Sequence, residues 1–204
     1  SISLSGIPWW TTDNGGFHGG DPTDPAFREL LIRWFQWGAF CPVFRLHGYR
    51  VPTKPLAEPM RNGVKLFSSG ADNEVWCYGE AAYPILVKYL HLRERLRSYV
   101  REQMRAAHEK GTPVMRPLFY DFPSDPAAWS VEDAYLFGPD LLVAPILEEG
   151  QRERRVYLPE GAEWQHAWSG RVFEGGQIVS VAAPLDEIPL FSRNGAPLSS
   201  SRST

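Results

Sequence analysis

Cysteine is scarce in this 204-residue sequence, which has two: Cys41 in an apolar run and Cys77 beside Trp76. With no CxxC pair and no histidines clustered at ligand spacing, a disulfide framework and a zinc site drop out. Both cysteines read as buried thiols. No stretch approaches the roughly 18 consecutive apolar residues of a membrane span, and the N-terminus lacks a basic start followed by an apolar core. Charge of one sign is also lacking. Lys and Arg number 21 against 24 Asp and Glu, a net charge of −3, so no overall field gathers nucleic acid or an anionic membrane. An initiator methionine is missing too. The chain opens on strand-like Ser1-Ile2-Ser3-Leu4 and is expected to belong to a longer polypeptide.

Aromatic residues are plentiful, with 8 Trp, 8 Tyr and 11 Phe. Flat apolar faces edged by hydrogen-bonding groups suit sugar rings, and they suit cores and interfaces equally. The remaining composition, 43% hydrophobic and 22% charged, is that of one or two globular domains.

Along the chain, residues 2–12 are short, apolar and β-prone and lead into Asp13-Asn14-Gly15-Gly16-Phe17-His18-Gly19-Gly20, where glycines permit sharp turns. Asp24-Pro25 then starts a helix whose stripe is Phe27, Leu30, Leu31, Trp34, Phe35 and Gly38. Cys41–Gly48 reads as a second strand. Strand, loop, helix, strand is the unit of a parallel α/β architecture. Residues 49–83 are a Pro- and Gly-punctuated connection. One long helix is expected across 84–109, with Ile85, Tyr89, Leu92, Leu96 and Tyr99 inward and Arg93, Arg95, Arg97, Arg101 and Arg105 on a solvated face diluted by Glu94, Glu102 and Glu109. Gly111-Thr112-Pro113 ends it. From Phe137 the texture becomes short strands at 141–144, 154–158, 163–168, 178–182 and 188–191, the spacing of a small antiparallel β-sandwich. The division expected is 1–136, 137–198 and a polar tail at 199–204.

Several segments, taken in order, carry a resemblance. They are Pro8-Trp9-Trp10-Thr11-Thr12-Asp13-Asn14-Gly15-Gly16-Phe17, Phe27-Arg28-Glu29-Leu30, Arg33-Trp34-Phe35-Gln36, Gly38–Pro42 and Phe44-Arg45-Leu46-His47-Gly48. Together they resemble the seventh and eighth strands of the barrel in glycoside hydrolase family 31. Gly111–Pro117, Gly138–Pro145 and Pro184–Arg193 are similar to that family's exit from the barrel and its C-terminal sandwich. The resemblance implies α/β plus all-β architecture: the last two β/α units of a (β/α)8 TIM barrel, then an antiparallel β-sandwich. One departure is Asn14, where the family usually has an aliphatic residue. On a strand it points away from Asp13, so its effect is expected in the packing behind the site.

In such a barrel the active site lies at the C-terminal strand ends, where Asp13 and His47 fall. Alternation puts Trp9, Thr11 and Asp13 on one side, and Arg45 and His47 on one side of the next strand. A lone strand-end histidine reads on general grounds as a satisfied core residue, and Asp13 before two glycines as a turn former. Trp9 and Trp10 read as subsite wall or barrel core. The resemblance implies instead that His47 donates to a hydroxyl of the −1 sugar, that Phe17 walls it, and that Asp13 with Arg45 supports the contact, with Trp10 also a candidate substrate-binding residue. The glycine-rich loop lacks the Lys-Ser/Thr of a P-loop and the GxGxxG spacing of a dinucleotide site.

The resemblance further implies a retaining, exo-acting α-glycosidase that removes terminal α-linked glucose or xylose, with an oligosaccharide as partner and no metal or organic cofactor. Its nucleophile and acid/base aspartates resemble nothing here and are expected in a missing N-terminal part. Asp21, Asp24, Asp72 and Asp121 read as turn or cap residues. A non-catalytic carbohydrate-binding or scaffold protein and an α-transglycosylase remain as alternatives. The Pro8–Asp13 form is closer to bacterial members, which favours a cytoplasmic or periplasmic setting.

Overall fold

A computed structural model of the chain describes residues 2–54 and 69–196. The tail at 199–204 and much of the 49–83 connection lie outside the described residues. Helix α1 spans Pro25–Gly38. It starts where its sequence says it should: the Asp24 carboxylate accepts from the Ala26 amide at 3.0 Å and Pro25 occupies the first turn, filling orphan donors and presetting φ. Its inward face buries Leu31, Ile32 and Phe35.

Strands β1 (Arg50–Lys54) and β2 (Ser69–Ala71) pair antiparallel. Helices α2 (Tyr83–Arg95) and α3 (Arg97–Lys110) stand where one helix over 84–109 was expected. The correction is a bend at Leu96, whose ψ is 0°. Amide hydrogen bonds run through it, Leu96 to Leu92 at 3.0 Å and Val100 to Leu96 at 2.8 Å. No glycine or proline marks this bend; it keeps Leu96 and Val100 in the core. The stripe is also shifted, since Leu86 and Val100 are buried while Ile85 and Tyr99 pack at its edge. Gly111 caps α3 in the left-handed conformation, as glycine does best.

The two strands expected at 2–12 and 41–48 do not form regular ladders. Residues 2–6 turn on themselves, and the segments 10–20 and 43–51 run side by side through one parallel bridge, Asn14 to Leu46. Three further amide bonds tie them: Val43 to Trp10, Tyr49 to Phe17 and Val51 to Gly20, at 3.0–3.1 Å. The physical reason lies in Arg50, whose guanidinium takes the carbonyls of Asn14, Gly16 and Gly19 that a ladder would use. Nor is Cys77 a buried thiol: Cys41 is buried and Cys77 only half-buried.

The C-terminal region is antiparallel throughout. A six-stranded sheet has the order β3-β4-β5-β10-β7-β8, from β3 (Met115–Arg116), β4 (Tyr135–Phe137), β5 (Leu141–Val143), β10 (Leu190–Arg193), β7 (Glu163–His166) and β8 (Val172–Glu174). Between β3 and β4 lies the one-turn helix α4 (Leu118–Asp121). Strands β6 (Glu153–Leu158) and β9 (Gln177–Ala182) form a separate pair. β3 and most of β4 lie on the N-terminal side of residue 137.

Strand alternation sorts two cores across the six-stranded sheet. Phe137, Leu141, Val143 and Leu190 face the helices with Leu31, Phe35, Leu86 and Leu92. Leu136, Leu142, Trp164 and Phe191 face β6 and β9 with Val156, Leu158, Val179 and Val181. The sheet is therefore the middle layer.

Two arginines on the helices tie distant segments together through backbone carbonyls. Arg33 of α1 donates to the carbonyls of Gln151, Ala183, Pro184 and Glu187 at 2.8–3.1 Å. Beside it Gln36 reaches Leu185 at 2.7 Å. Arg93 of α2, expected on the solvated face, instead turns in to the carbonyls of Ala39, Cys41 and Pro42 at 2.7–2.8 Å. Burial pulls its pKa down to about 10. Arg95, Arg97, Arg101 and Arg105 are exposed as expected.

Candidate functional site

The side-by-side segments 13–20 and 45–50 present a row of four exposed aromatic rings. His47 lies 5.5 Å from Phe17 between centroids, Phe17 4.4 Å from His18 edge-on, and His18 5.1 Å from Tyr49 edge-on. Phe17 is 50% exposed, and His47 is exposed as well, so the core-histidine reading does not describe it. Aromatic rings held in a row at the surface have a use other than core packing.

At one end of the row stands an ion pair. Asp13 Oδ1 accepts from Arg45 Nε at 3.1 Å and from Arg45 Nη2. With the side chains 23% and 49% exposed, solvent screens the pair, and its value is geometric: it sets the direction of both side chains. Asn14 points the other way, fully buried against Gly38 of α1, and donates to the Arg45 carbonyl at 2.6 Å. The family-atypical residue thus sits behind the site, where alternation placed it.

The loop is pinned from beneath by Arg50, which is 0% exposed. Its Nη1 donates to the carbonyls of Gly16 at 2.9 Å and Gly19 at 3.2 Å, its Nη2 to Asn14 at 3.1 Å, and its Nε to the Tyr78 hydroxyl at 2.9 Å. The Phe27 ring covers the guanidinium at 5.2 Å. Tyr78 in turn donates to Asn73, whose amide donates to the Gly48 carbonyl at 2.8 Å. Glycine is required at two points of closest approach. A Cβ on Gly48, at φ +111°, would lie 2.4 Å from the Gly16 carbonyl oxygen, and one on Gly15 2.7 Å from Arg50 Nη2. Because the loop turns carbonyls inward onto a cation, it is no cradle for an anion.

Sequence reasoning missed Arg50, Tyr78 and His18. The available signal for Arg50 was its place between Tyr49 and Val51, opposite a glycine-rich loop. Of the expected site residues, Phe17 meets His47 and Asp13 meets Arg45. Trp10 joins neither pair: its indole N–H donates to Ser3 Oγ at 3.0 Å and its ring packs 5.9 Å from Trp37 of α1. Trp9 turns instead to His108 of α3, 6.3 Å between centroids. Asp21 and Asp24 hold turns and caps, while Asp72 pairs with Lys54 and Asp121 with Arg116.

Comparison with known sequences now decides the family. Residues 1–103 match the profile of the glycosyl hydrolases family 31 TIM-barrel domain, and residues 111–198 that of the family 31 C-terminal domain. The chain belongs to glycoside hydrolase family 31. It is 36% identical over 198 residues to an alpha-xylosidase of Saccharolobus solfataricus, covering 97% of this chain and 24% of that protein. To alpha-glucosidase 2 of Bacillus thermoamyloliquefaciens it is 34% identical, covering 96% and 22%. Among solved structures, a family 31 alpha-xylosidase from a soil metagenome, complexed with xylose, superposes at a TM-score of 0.93 with 57% identity, covering 97% of this chain and 29% of that one. The chain thus spans about a quarter of the length of the curated family 31 relatives it matches.

Proposed function

We propose that this chain forms the substrate-binding edge of a retaining, exo-acting α-glycosidase that releases terminal α-linked xylose or glucose from an oligosaccharide. The observation that carries the reading is the exposed His47–Phe17 pair beside the Asp13–Arg45 ion pair, in a chain of this family. An aromatic wall covers the C–H face of a sugar ring while directional polar groups take its hydroxyls. His47 donates to a hydroxyl of the −1 sugar, Phe17 walls the ring, and Arg45, steered by Asp13, completes the rim. Trp10 belongs to packing in this reading.

Retaining hydrolysis uses two carboxylates about 5–5.5 Å apart, one as nucleophile and one as acid/base. The motifs that surround those two aspartates in family 31 resemble nothing in this sequence, and the reading places both carboxylates in polypeptide outside it. The antiparallel sheets of the C-terminal region act as a β-sandwich support for the barrel portion.

The test is kinetic. In the enzyme carrying this chain, His47→Ala lowers kcat/KM for an aryl α-xyloside or α-glucoside by about 2–4 kcal/mol of transition-state stabilisation, with the melting temperature unchanged. Unaltered kinetics overturn the assignment. A second reading is a non-catalytic saccharide binder, in which the same His47–Phe17 pair and Asp13–Arg45 rim hold the sugar. A whole protein that binds xylose or glucose yet turns over neither glycoside would establish it.

A further inference from the structure

The proposed sugar site uses two of the four rings in the aromatic row, Phe17 and His47, and leaves His18 and Tyr49. Their place follows from chain direction. The segments 10–20 and 43–51 run parallel through the Asn14–Leu46 bridge. Amide bonds keep them in step beyond it, Tyr49 to Phe17 at 3.1 Å and Val51 to Gly20 at 3.0 Å. His18 comes one residue after Phe17, and Tyr49 two after His47, so both steps lead away from the bridge toward the C-terminal strand ends, where a TIM barrel opens to its substrate. The His18–Tyr49 pair, edge-on at 5.1 Å, therefore lies outside the Phe17–His47 pair, toward the mouth.

The outer pair is fixed before any ligand arrives. Gly16 and Gly19, which bracket Phe17 and His18, give their carbonyls to Arg50 Nη1 at 2.9 and 3.2 Å, and the Tyr49 carbonyl accepts from the same atom at 3.3 Å. Gly48 seats the turn between His47 and Tyr49 against the Phe17 backbone, where an added Cβ would lie 3.0 Å from Phe17 Cα. A wall already ordered spares the ligand the cost of ordering it. Its polar atoms stay open. His18 and Tyr49 are both exposed, and no hydrogen bond among the described residues engages the His18 imidazole or the Tyr49 hydroxyl.

An imidazole and a phenol each donate and accept hydrogen bonds, and each carries a flat apolar ring. Side by side they suit a hydroxyl-bearing ring. An exo-acting site holds the terminal sugar innermost, and the rest of the saccharide leads out through the mouth. The sugar on the far side of the scissile bond then passes His18 and Tyr49. The Asp13–Arg45 ion pair precedes Phe17 and His47 along both segments and stands on the inner side, away from this second ring.

We propose that His18 and Tyr49 form the wall of the +1 subsite, where they select the sugar from which the terminal residue is released: a pyranose whose hydroxyls meet the His18 imidazole and the Tyr49 hydroxyl. The inference rests on the assignment of Phe17 and His47 to the −1 sugar, and adds the residues that discriminate among saccharides sharing that sugar.

The test compares, by calorimetry on the enzyme carrying this chain, ligands that fill one subsite with ligands that fill two: D-xylose against a sulfur-linked α-xylosyl-glucose, and D-glucose against sulfur-linked maltose. Sulfur in place of the glycosidic oxygen keeps the disaccharides intact. In the unaltered enzyme the disaccharide of the preferred pair binds more tightly than its monosaccharide. His18→Ala is expected to weaken the disaccharide roughly tenfold and Tyr49→Phe roughly fivefold, the scale of one hydrogen bond with or without its ring contact. The Kd of the monosaccharide and the melting temperature stay unchanged, whereas His47→Ala weakens both ligands of the pair alike. No binding, equal affinity for mono- and disaccharide in the unaltered enzyme, a disaccharide indifferent to both variants, or equal losses of both ligands in His18→Ala overturn the proposal. If instead His47→Ala leaves all four affinities unchanged, the −1 assignment fails, and this inference with it.

Discussion

The segments around the aromatic row and the C-terminal sheets are ordered by opposite means. The sheets rest on register-matched ladders and on apolar side chains sorted to two faces, so each strand is specified by many small, interchangeable contacts. The paired segments 10–20 and 43–51 have one bridge and a few amide bonds, and their path is set by a single buried guanidinium with its acceptors. A ladder spends its backbone groups on its neighbours. A loop that must aim Phe17 and His47 outward keeps its carbonyls for one cation and so concentrates its order in one residue.

This contrast is tested most strongly by core removal. Trp164 is fully buried against Phe122, and Trp164→Ala is expected to cost about 3–5 kcal/mol in denaturant unfolding. The Phe17 and His47 resonances of the folded fraction stay in place; if they move, the two regions are not separately ordered. Next, Arg50→Met keeps volume but strands the carbonyls of Asn14, Gly16 and Gly19, at a cost of about 3 kcal/mol. Here the aromatic row does lose its dispersion in NMR spectra. A row unchanged in Arg50→Met would show that the amide bonds suffice.

A smaller effect lies within the sheet region and carries a pH signature. Burial opposes ionisation of Asp125, yet the Glu160 amide, the Tyr157 hydroxyl and the Ala127 amide together hold its carboxyl below the ordinary carboxylate value. Because the folded pKa is the lower one, this stabilisation is present above the unfolded pKa and is lost as pH falls through the folded value. Asp125→Asn is expected to cost about 1–3 kcal/mol at neutral pH and to flatten the acid limb of melting temperature against pH. The smallest change in stability is that of Asp13→Asn, under about 1 kcal/mol for a screened surface pair. Its sugar affinity nevertheless falls, as measured by calorimetry; an equal loss of stability would make Asp13 structural.

Where order is spread over many residues, the sequence could be read. Asp24-Pro25 and the stripe to Phe35 marked α1, and alternation marked most of the C-terminal strands, because both signals repeat along the chain. β3 escaped notice because two residues, Met115 and Arg116, carry no period. The bend at Leu96 has no glycine or proline to announce it. In the site, alternation grouped Arg45 with His47, but it left Trp10 open between subsite wall and core, since a tryptophan's sequence context does not say which way it turns; its ring packs near Trp37. Arg93 read as surface charge and Arg50 went unread, because an inward-turned arginine is defined by carbonyls distant in sequence, which leave no trace in its neighbours' identities.

The Arg33 clamp has a consequence for recombination among relatives. Four of its acceptors are main-chain carbonyls of the loops at 151 and 183–187, and Gln36 uses a fifth at Leu185. Every residue type offers a carbonyl, so the receiving side of this joint asks for a backbone course and for no particular side chains. In a chimera that grafts a relative's C-terminal sheets onto this helix, this clamp is kept by Arg33, Gln36 and the lengths of the receiving loops, whatever side chains those loops carry.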